Sequence, residues 1–344
     1  MIWANLTPLT SGDKVAVLSP SFAAPGVFPA VYELGLERLR TEFGLDPVSF
    51  PTTAKVGASP KERAADLVAA FTDPTIKAVI ASIGGDDQVT YVYDLDPQPF
   101  IESPKPFFGF SDNSHFAHFL WLQGIPSYYG GSLFTQYATQ GEIHPFTRQY
   151  LETALFSRGT HTLQAANEYN DINLDWGDPA TLEQNLKYEP SEGWYWDGDG
   201  TVSGITWGGC LESIDDMLRH NVPLPPLDAW RDMVLLLETS EELPTASTVG
   251  RVLRALGERG YLELVQGVLV GRAKAWEFAT PRSAAKKANY RKEQREIITH
   301  TVRKYTKAPI VQNMDFGHTN PQIPMPYGQL ATIDCTTQSV TVVF

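Results

Sequence analysis

Residues 104 to 121 read Pro104-Lys-Pro-Phe-Phe-Gly-Phe-Ser-Asp-Asn-Ser-His-Phe-Ala-His-Phe-Leu-Trp121, and within them a short apolar strand turns abruptly into an amphipathic helix. Phe107 and Phe108 are apolar and β-favouring, Gly109 relieves crowding at the turn, and Phe116, Phe119 and Leu120 recur at helical spacing. Ser111 falls at the corner. A serine there can act as the nucleophile of an elbow, lifted above the sheet while the free N–H groups of the following helix aim at the same spot. It can equally be a helix N-cap, because Ser, Asp and Asn are the residues that cap helices. The full elbow pattern is Gly-x-Ser-x-Gly, and here its last position is Asn113, which takes left-handed geometry less freely than glycine.

Working outward, Val15 to Leu18 reads as a buried strand followed by a helix with Val31, Leu34, Leu39 and Phe43 on one face and Gly44 as its stop. Ser59, Pro60 and Glu62 form a capping box that opens the next helix, with Ala64, Leu67, Val68 and Phe71 on its apolar face. Ala78 to Ile83 is then a near-continuous apolar strand running into Gly84-Gly85-Asp86-Asp87. This alternation predicts a parallel sheet with helices on both faces. The turns after Ile83 and Phe108 should leave the same edge of it, which brings Gly84 and Gly85 close to Ser111. Their N–H groups could meet a developing negative charge, whereas the spacing matches neither a P-loop nor a dinucleotide fingerprint. Pro126 to Gly131 reads as one more strand, and a helix around Phe146 to Phe156 closes a first domain over residues 1–165.

The 344 residues, 42% hydrophobic and 19% charged, suffice for two folded domains. A net charge of -13 opposes nucleic acid as a partner. One stretch, 282 to 307, holds nine of the 27 basic residues; with Glu293 and Glu296 interleaved it reads as a solvated helix face. No apolar run approaches the ~20 residues of a membrane span, and the beginning lacks signal-peptide features, so the expected location is the cytoplasm, without a membrane partner. Cys210 and Cys335 have no metal-type spacing. His115 and His118, three apart on one helix and near Asp112, would need a third ligand to form a metal face. Neither metal nor cofactor is expected.

From 166 to 199 periodicity fades, and four of the eight tryptophans (Trp176, Trp194, Trp196, Trp207) fall within residues 176 to 207. A loop of that length is often functional; Trp176, on the loop joining the halves, could stack on a flat ligand or plug the gap between domains. The second domain, 200–344, offers Val234 to Glu238, an apolar strand ending in a carboxylate, followed by a helix with Val249, Val252, Leu253 and Leu256 on one face. Further strands are read at Val265 to Val270, Ile310-Val311, Leu330 to Ile333 and Val340 to Phe344. His318 lies in the turn-rich stretch Asp315-Phe-Gly-His-Thr-Asn-Pro321. Glu238 would be costly to bury as an ion without a partner, a need that a histidine satisfies. Ser111, Glu238 and His318 stand in an order that a hydrolase triad can use.

The pieces Glu62-Arg63, Ile83-Gly-Gly-Asp-Asp87, Phe108-Gly-Phe-Ser-Asp112, Trp207-Gly-Gly-Cys-Leu-Glu212, Leu236-Leu-Glu238, Gly267 to Arg272 and Phe316-Gly-His-Thr319 occur in one order over most of the chain. In this the chain resembles the LD-carboxypeptidase family of serine peptidases, and within it the microcin C immunity branch. The resemblance implies an α/β protein in which an N-terminal Rossmann-like domain carries the serine and a C-terminal mostly β domain with helices carries the acid and the histidine. It implies Ser111 as nucleophile, His318 as base, Glu238 as its orienting acid, and the N–H groups of Gly85 and Asp112 as the oxyanion hole; the glycine pair and the position of the Trp-rich loop add Gly84 and Trp176 as candidate substrate contacts. The implied substrate is a short carboxylate-bearing peptide, such as a murein tetrapeptide, or an aminoacyl-nucleotide, and a homodimer is expected. Immunity members carry a lysine shortly after the acid, whereas Glu241 and Glu242 stand here. A non-catalytic binding protein on the same two domains is the rival reading.

Overall fold

The computed structural model describes residues 2–344. The first part of the chain supplies β1 (Lys14–Leu18), β2 (Asp46–Ser49), β3 (Ile76–Ala81), β4 (Phe107–Gly109) and β5 (Ser127–Tyr129). The middle supplies four short strands, β6 (Thr160–Thr162), β7 (Glu168–Tyr169), β8 (Glu189–Pro190) and β9 (Tyr195–Asp197). The remainder supplies β10 (Thr201–Cys210), β11 (Met233–Glu238), β12 (Gly267–Gly271), β13 (Ile310–Met314), β14 (Met325–Tyr327), β15 (Leu330–Asp334) and β16 (Ser339–Val343).

The first sheet has the order β2-β1-β3-β4-β5-β14, its first five strands parallel. Side-chain alternation explains why both faces are covered. Val15 and Val17 pack with Val31, Leu36 and Leu39 of the helix Pro29–Thr41, while Ala16 and Leu18 pack with Leu67 and Phe71 of the helix Pro60–Thr72. The capping box is present: Ser59 accepts from the Glu62 N–H and the Glu62 side chain accepts from the Ser59 N–H.

The second sheet, β6-β16-β15-β10-β11-β12-β13-β9, has four parallel strands at its centre, β10 to β13, and antiparallel flanks. The helix Ala246–Glu258 buries the Val249, Val252, Leu253 and Leu256 face read from the sequence. The fold is thus α/β throughout, two large sheets with helices against each, beside the two-stranded antiparallel ribbon β7-β8.

Several elements differ from the sequence reading. The strands Asp46–Ser49 and Thr201–Cys210 were not expected, the first because Pro47 masks it and the second because three of its residues are glycine. The boundaries 1–165, 166–199 and 200–344 are not boundaries in space. β6 belongs to the second sheet, β14 adds to the edge of the first, and β9, within the loop segment, closes the far edge of the second. Strands of two or three residues carry no periodicity to read.

The basic stretch is also more than a solvated face. On the helix Ala284–Val302, Lys287 and Arg291 are buried against the loop segment: Lys287 pairs with Asp171 at 2.8 Å and Glu189 at 2.6 Å, and Arg291 with Asp171. Such partners lie too far apart in sequence for a local pattern to reveal.

Candidate active site

Ser111 adopts φ +62°, a left-handed conformation that costs a non-glycine residue ~1–2 kcal/mol. Three hydrogen bonds hold it there. Its N–H donates to the Tyr129 hydroxyl at 3.3 Å, and its carbonyl accepts from Ser114 Oγ at 2.6 Å and Ser213 Oγ at 3.2 Å. Asn113, not Ser111, occupies the N-cap of the helix Ser114–Leu122, and no side chain caps that helix end. The hydroxyl of Ser111 is therefore spare, with no partner among the described residues.

Gly84 presses against this turn: a Cβ built on it would lie 2.9 Å from Ser111 Cβ and 3.1 Å from Ser111 Oγ, and 3.4 Å from the Asp112 nitrogen. Only glycine lets the two loops approach so closely. The buried Arg63 fixes the Gly84-Gly85 loop from below, clamping Asp87 with two bonds of 2.6 Å and donating to the Pro20 and Ser21 carbonyls. The Asp112 side chain turns inward to accept from the Gln88 N–H at 3.1 Å, and burial raises its carboxyl to about 6.

Glu238 ends β11 and is buried, facing this edge. His318 Nδ1 lies 2.7 Å from Glu238 Oε2, and the other carboxylate oxygen accepts from the Tyr129 hydroxyl. Tyr129 thus joins the Ser111 backbone to the acid. Gly317, at φ +93°, makes the acid–histidine contact possible, since a Cβ there would sit 2.5 Å from Glu238 Oε2. The imidazole also packs edge-on against Phe110, the residue before Ser111, with ring centroids 4.9 Å apart. Acid and histidine, far apart in sequence, are therefore paired, and Tyr129 and Phe110 tie that pair to the turn at Ser111.

His318 Nε2 faces a second carboxylate, Glu241 Oε2 at 3.1 Å. Burial disfavours the imidazolium, but Glu238 and Glu241 outweigh it and raise its pKa to about 10. Glu212, the other acid near this edge, turns away: it accepts from the Ser240 N–H and hydroxyl at 3.0 and 2.8 Å and from Cys210 Sγ at 3.1 Å. Burial, then the Glu238 charge, raises its pKa.

Trp176 is half-buried, edge-on to Phe28 and Phe134. The N–H of its neighbour Phe134 bonds the Ser82 carbonyl, two residues before Gly84. The other three tryptophans have structural surroundings: Trp207 is in the core, Trp196 lies in β9, and Trp194 donates to Asp315, which also pairs with Arg272 at 2.6 Å and anchors the histidine loop. His118 accepts from Trp207 Nε1 and lies 2.9 Å from the Pro223 carbonyl, and His115 lies 3.0 Å from the Tyr93 hydroxyl. Burial lowers the pKa of both, to about 4 and about 3, so they are neutral packing groups.

Tyr129, Ser114 and Ser213 were missed by sequence reasoning. The one available signal was Tyr129's place at the carboxyl end of a strand, where the working loops emerge.

Fold and site together define a two-domain α/β protein with a spare serine at a strained turn beside a buried carboxylate–histidine pair. The chain belongs to the LD-carboxypeptidase family of peptidases: the model of its N-terminal domain matches residues 15–130 and that of its C-terminal domain residues 203–333. The microcin C7 self-immunity protein MccF of Escherichia coli is 22% identical over 97% of this chain and 94% of its own. A structure of MccF in complex with aspartyl sulfamoyl adenosine superposes with a TM-score of 0.85, covering 99% of this chain and 98% of that one at 22% identity. An MccF-like protein from Streptococcus pneumoniae, solved in complex with AMP, gives 0.84 at 25% identity, covering 96% and 98%.

Proposed function

We propose that this chain is a cytoplasmic serine peptidase that hydrolyses an amide bond in a short carboxylate-bearing peptide or aminoacyl-nucleotide, with Ser111, His318 and Glu238 as its triad. The observation that carries the reading is the left-handed Ser111, its hydroxyl spare, flanked by the His318–Glu238 pair.

Ser111 Oγ attacks the scissile carbonyl as His318 Nε2 takes its proton, and the same proton passes to the leaving nitrogen as the C–N bond breaks. Water then hydrolyses the ester on Ser111 by the same route. Glu238 holds Nδ1 protonated, so that Nε2 is the nitrogen presented to the serine. The N–H groups of Gly85 and Asp112 receive the oxyanion, each such donor being worth ~2.7–4 kcal/mol. Gly84 allows the substrate close to the backbone, and Trp176 stacks on a base or other flat group.

Aminoacyl-nucleotides are favoured by the ligands of the MccF structures. The LD-carboxypeptidase description of both domains favours a second substrate, the LD bond of a murein tetrapeptide. Hydrolysis of murein tetrapeptide and of aminoacyl sulfamoyl adenosines, read by mass spectrometry for wild type and Ser111→Ala, tests both. The expected outcome is product from at least one substrate, with kcat reduced on the order of 10⁴- to 10⁶-fold in the variant. Turnover by Ser111→Ala at the wild-type rate would remove the serine mechanism. The expected homodimer is checked by sedimentation.

A further inference from the structure

His318 Nε2, the nitrogen that must face Ser111 for the proposed chemistry, is bonded instead to Glu241 at 3.1 Å. Glu238 cannot be spared from the pair: it is fully enclosed and shared with Tyr129. Glu241 is different, because 53% of its side chain remains exposed at the mouth of the site. Its backbone is held by a tight turn. Ser240 is pinned to Glu212, the Glu242 N–H donates to Ser240 Oγ at 3.2 Å, and Leu243 closes the turn at φ +53°. The side chain can therefore swing while its base stays fixed.

The surroundings of Glu241 are acidic. Partial burial, then the charges of Glu241, Asp216 and Asp86, raise the pKa of Glu242. These residues come from the turn after β11, the helix Leu211–Arg219 and the loop after β3, so three separate elements bring negative charge to one rim. Of the cations here, His318 is held by Glu238 and Glu241, and the buried Lys274 pairs with Glu277 at 2.9 Å.

We infer that Glu241 is a specificity-determining latch: a substrate carrying an ammonium or guanidinium group close to the scissile amide draws the Glu241 carboxylate off His318 Nε2, and so releases the base preferentially for cationic substrates. The inference rests on the serine peptidase reading above. The cation takes over the ion pair that the imidazolium loses. With one carboxylate gone, Nε2 gives its proton to solvent and is free to accept the Ser111 proton. Neutral substrates offer Glu241 nothing in exchange, and anionic ones meet Asp86, Asp216, Glu241 and Glu242 together.

The test is a matched set of lysyl, norleucyl and glutamyl compounds, made both as acyl-D-alanine peptides and as aminoacyl sulfamoyl adenosines, assayed with wild type, Glu241→Gln, Glu241→Lys and Ser111→Ala. Wild type is expected to prefer the lysyl over the norleucyl compound by about tenfold in kcat/KM. Glu241→Gln should level that preference by gaining on norleucyl, and Glu241→Lys should favour glutamyl. The pH profile adds a readout that packing alone would not move. In the free wild-type enzyme Glu238 and Glu241 bond His318, Asp86, Asp216, Glu242 and Lys274 lie around them, and the base becomes available only as pH rises toward about 10. The rise of kcat/KM should therefore shift to lower pH in Glu241→Gln. If both Glu241 variants keep the wild-type order and pH profile while Ser111→Ala is inactive, the latch is overturned and the peptidase reading stands. If Ser111→Ala is as active as wild type, the underlying mechanism itself is wrong.

Discussion

The two halves of the site are built on opposite principles. On the N-terminal side, backbone does the positioning: a left-handed serine, a glycine that abuts it and a loop clamped by Arg63. On the C-terminal side, charged side chains do it: the buried Glu238 and His318 and the half-exposed Glu241 hold one another in a row. A backbone turn carries no charge of its own to titrate, whereas a row of ionised groups responds to every charge that approaches it. The nucleophile's half is thus built for fixed geometry, and the half with the histidine for discrimination.

The largest effect should come from breaking the charged half at its centre. Glu238→Gln keeps the shape but removes the charge that supports His318 and fixes its tautomer, and kcat is expected to fall about 10⁴-fold with little change in KM. An unchanged kcat would show that another acid supports the histidine, Glu241 at 3.1 Å from Nε2 being the nearest.

Gly317→Ala attacks the same half through its backbone. A methyl 2.5 Å from Glu238 Oε2, at φ +93°, must push the acid and the histidine apart. Activity should drop about 10²-fold, with a loss of ~1–3 kcal/mol in denaturant unfolding. Wild-type kinetics in this variant would show that the close approach is not required.

Tyr129→Phe sharpens the contrast, because one hydroxyl, that of Tyr129, bonds both the Ser111 backbone and Glu238. Its loss leaves one Glu238 oxygen short of a donor and frees the Ser111 N–H, so a tenfold lower kcat and a stability loss of ~1–3 kcal/mol are expected. A change in stability alone would make it a structural bridge only.

The smallest effect on chemistry is expected from Trp176→Ala, outside both halves. KM for a nucleotide-bearing substrate should rise roughly ten- to a hundredfold, as loss of a stacked base implies, with a smaller change on a plain peptide. Equal losses on both, or a lower Tm alone, would assign the ring to packing against Phe28 and Phe134.

Much of this could be read from the chain because the signals are local. Strand–helix alternation over the first half, the Ser59 capping box and the Val249-to-Leu256 helix face depend on neighbours within one or two turns. So does the turn at Ser111, and for that reason the parallel sheet and the meeting of Gly84 with Ser111 followed from the sequence. The motif resemblance extended this to Glu238 and His318. What only tertiary structure decided are contacts between residues far apart: Tyr129 with Glu238, Lys287 with Asp171, β14 pairing with β5. No pattern in the sequence distinguishes Glu241 from Glu242. One bonds the histidine and the other does not, because the turn pinned by Glu212 points the first at Nε2, and the direction of a side chain is set by the packing of the whole fold.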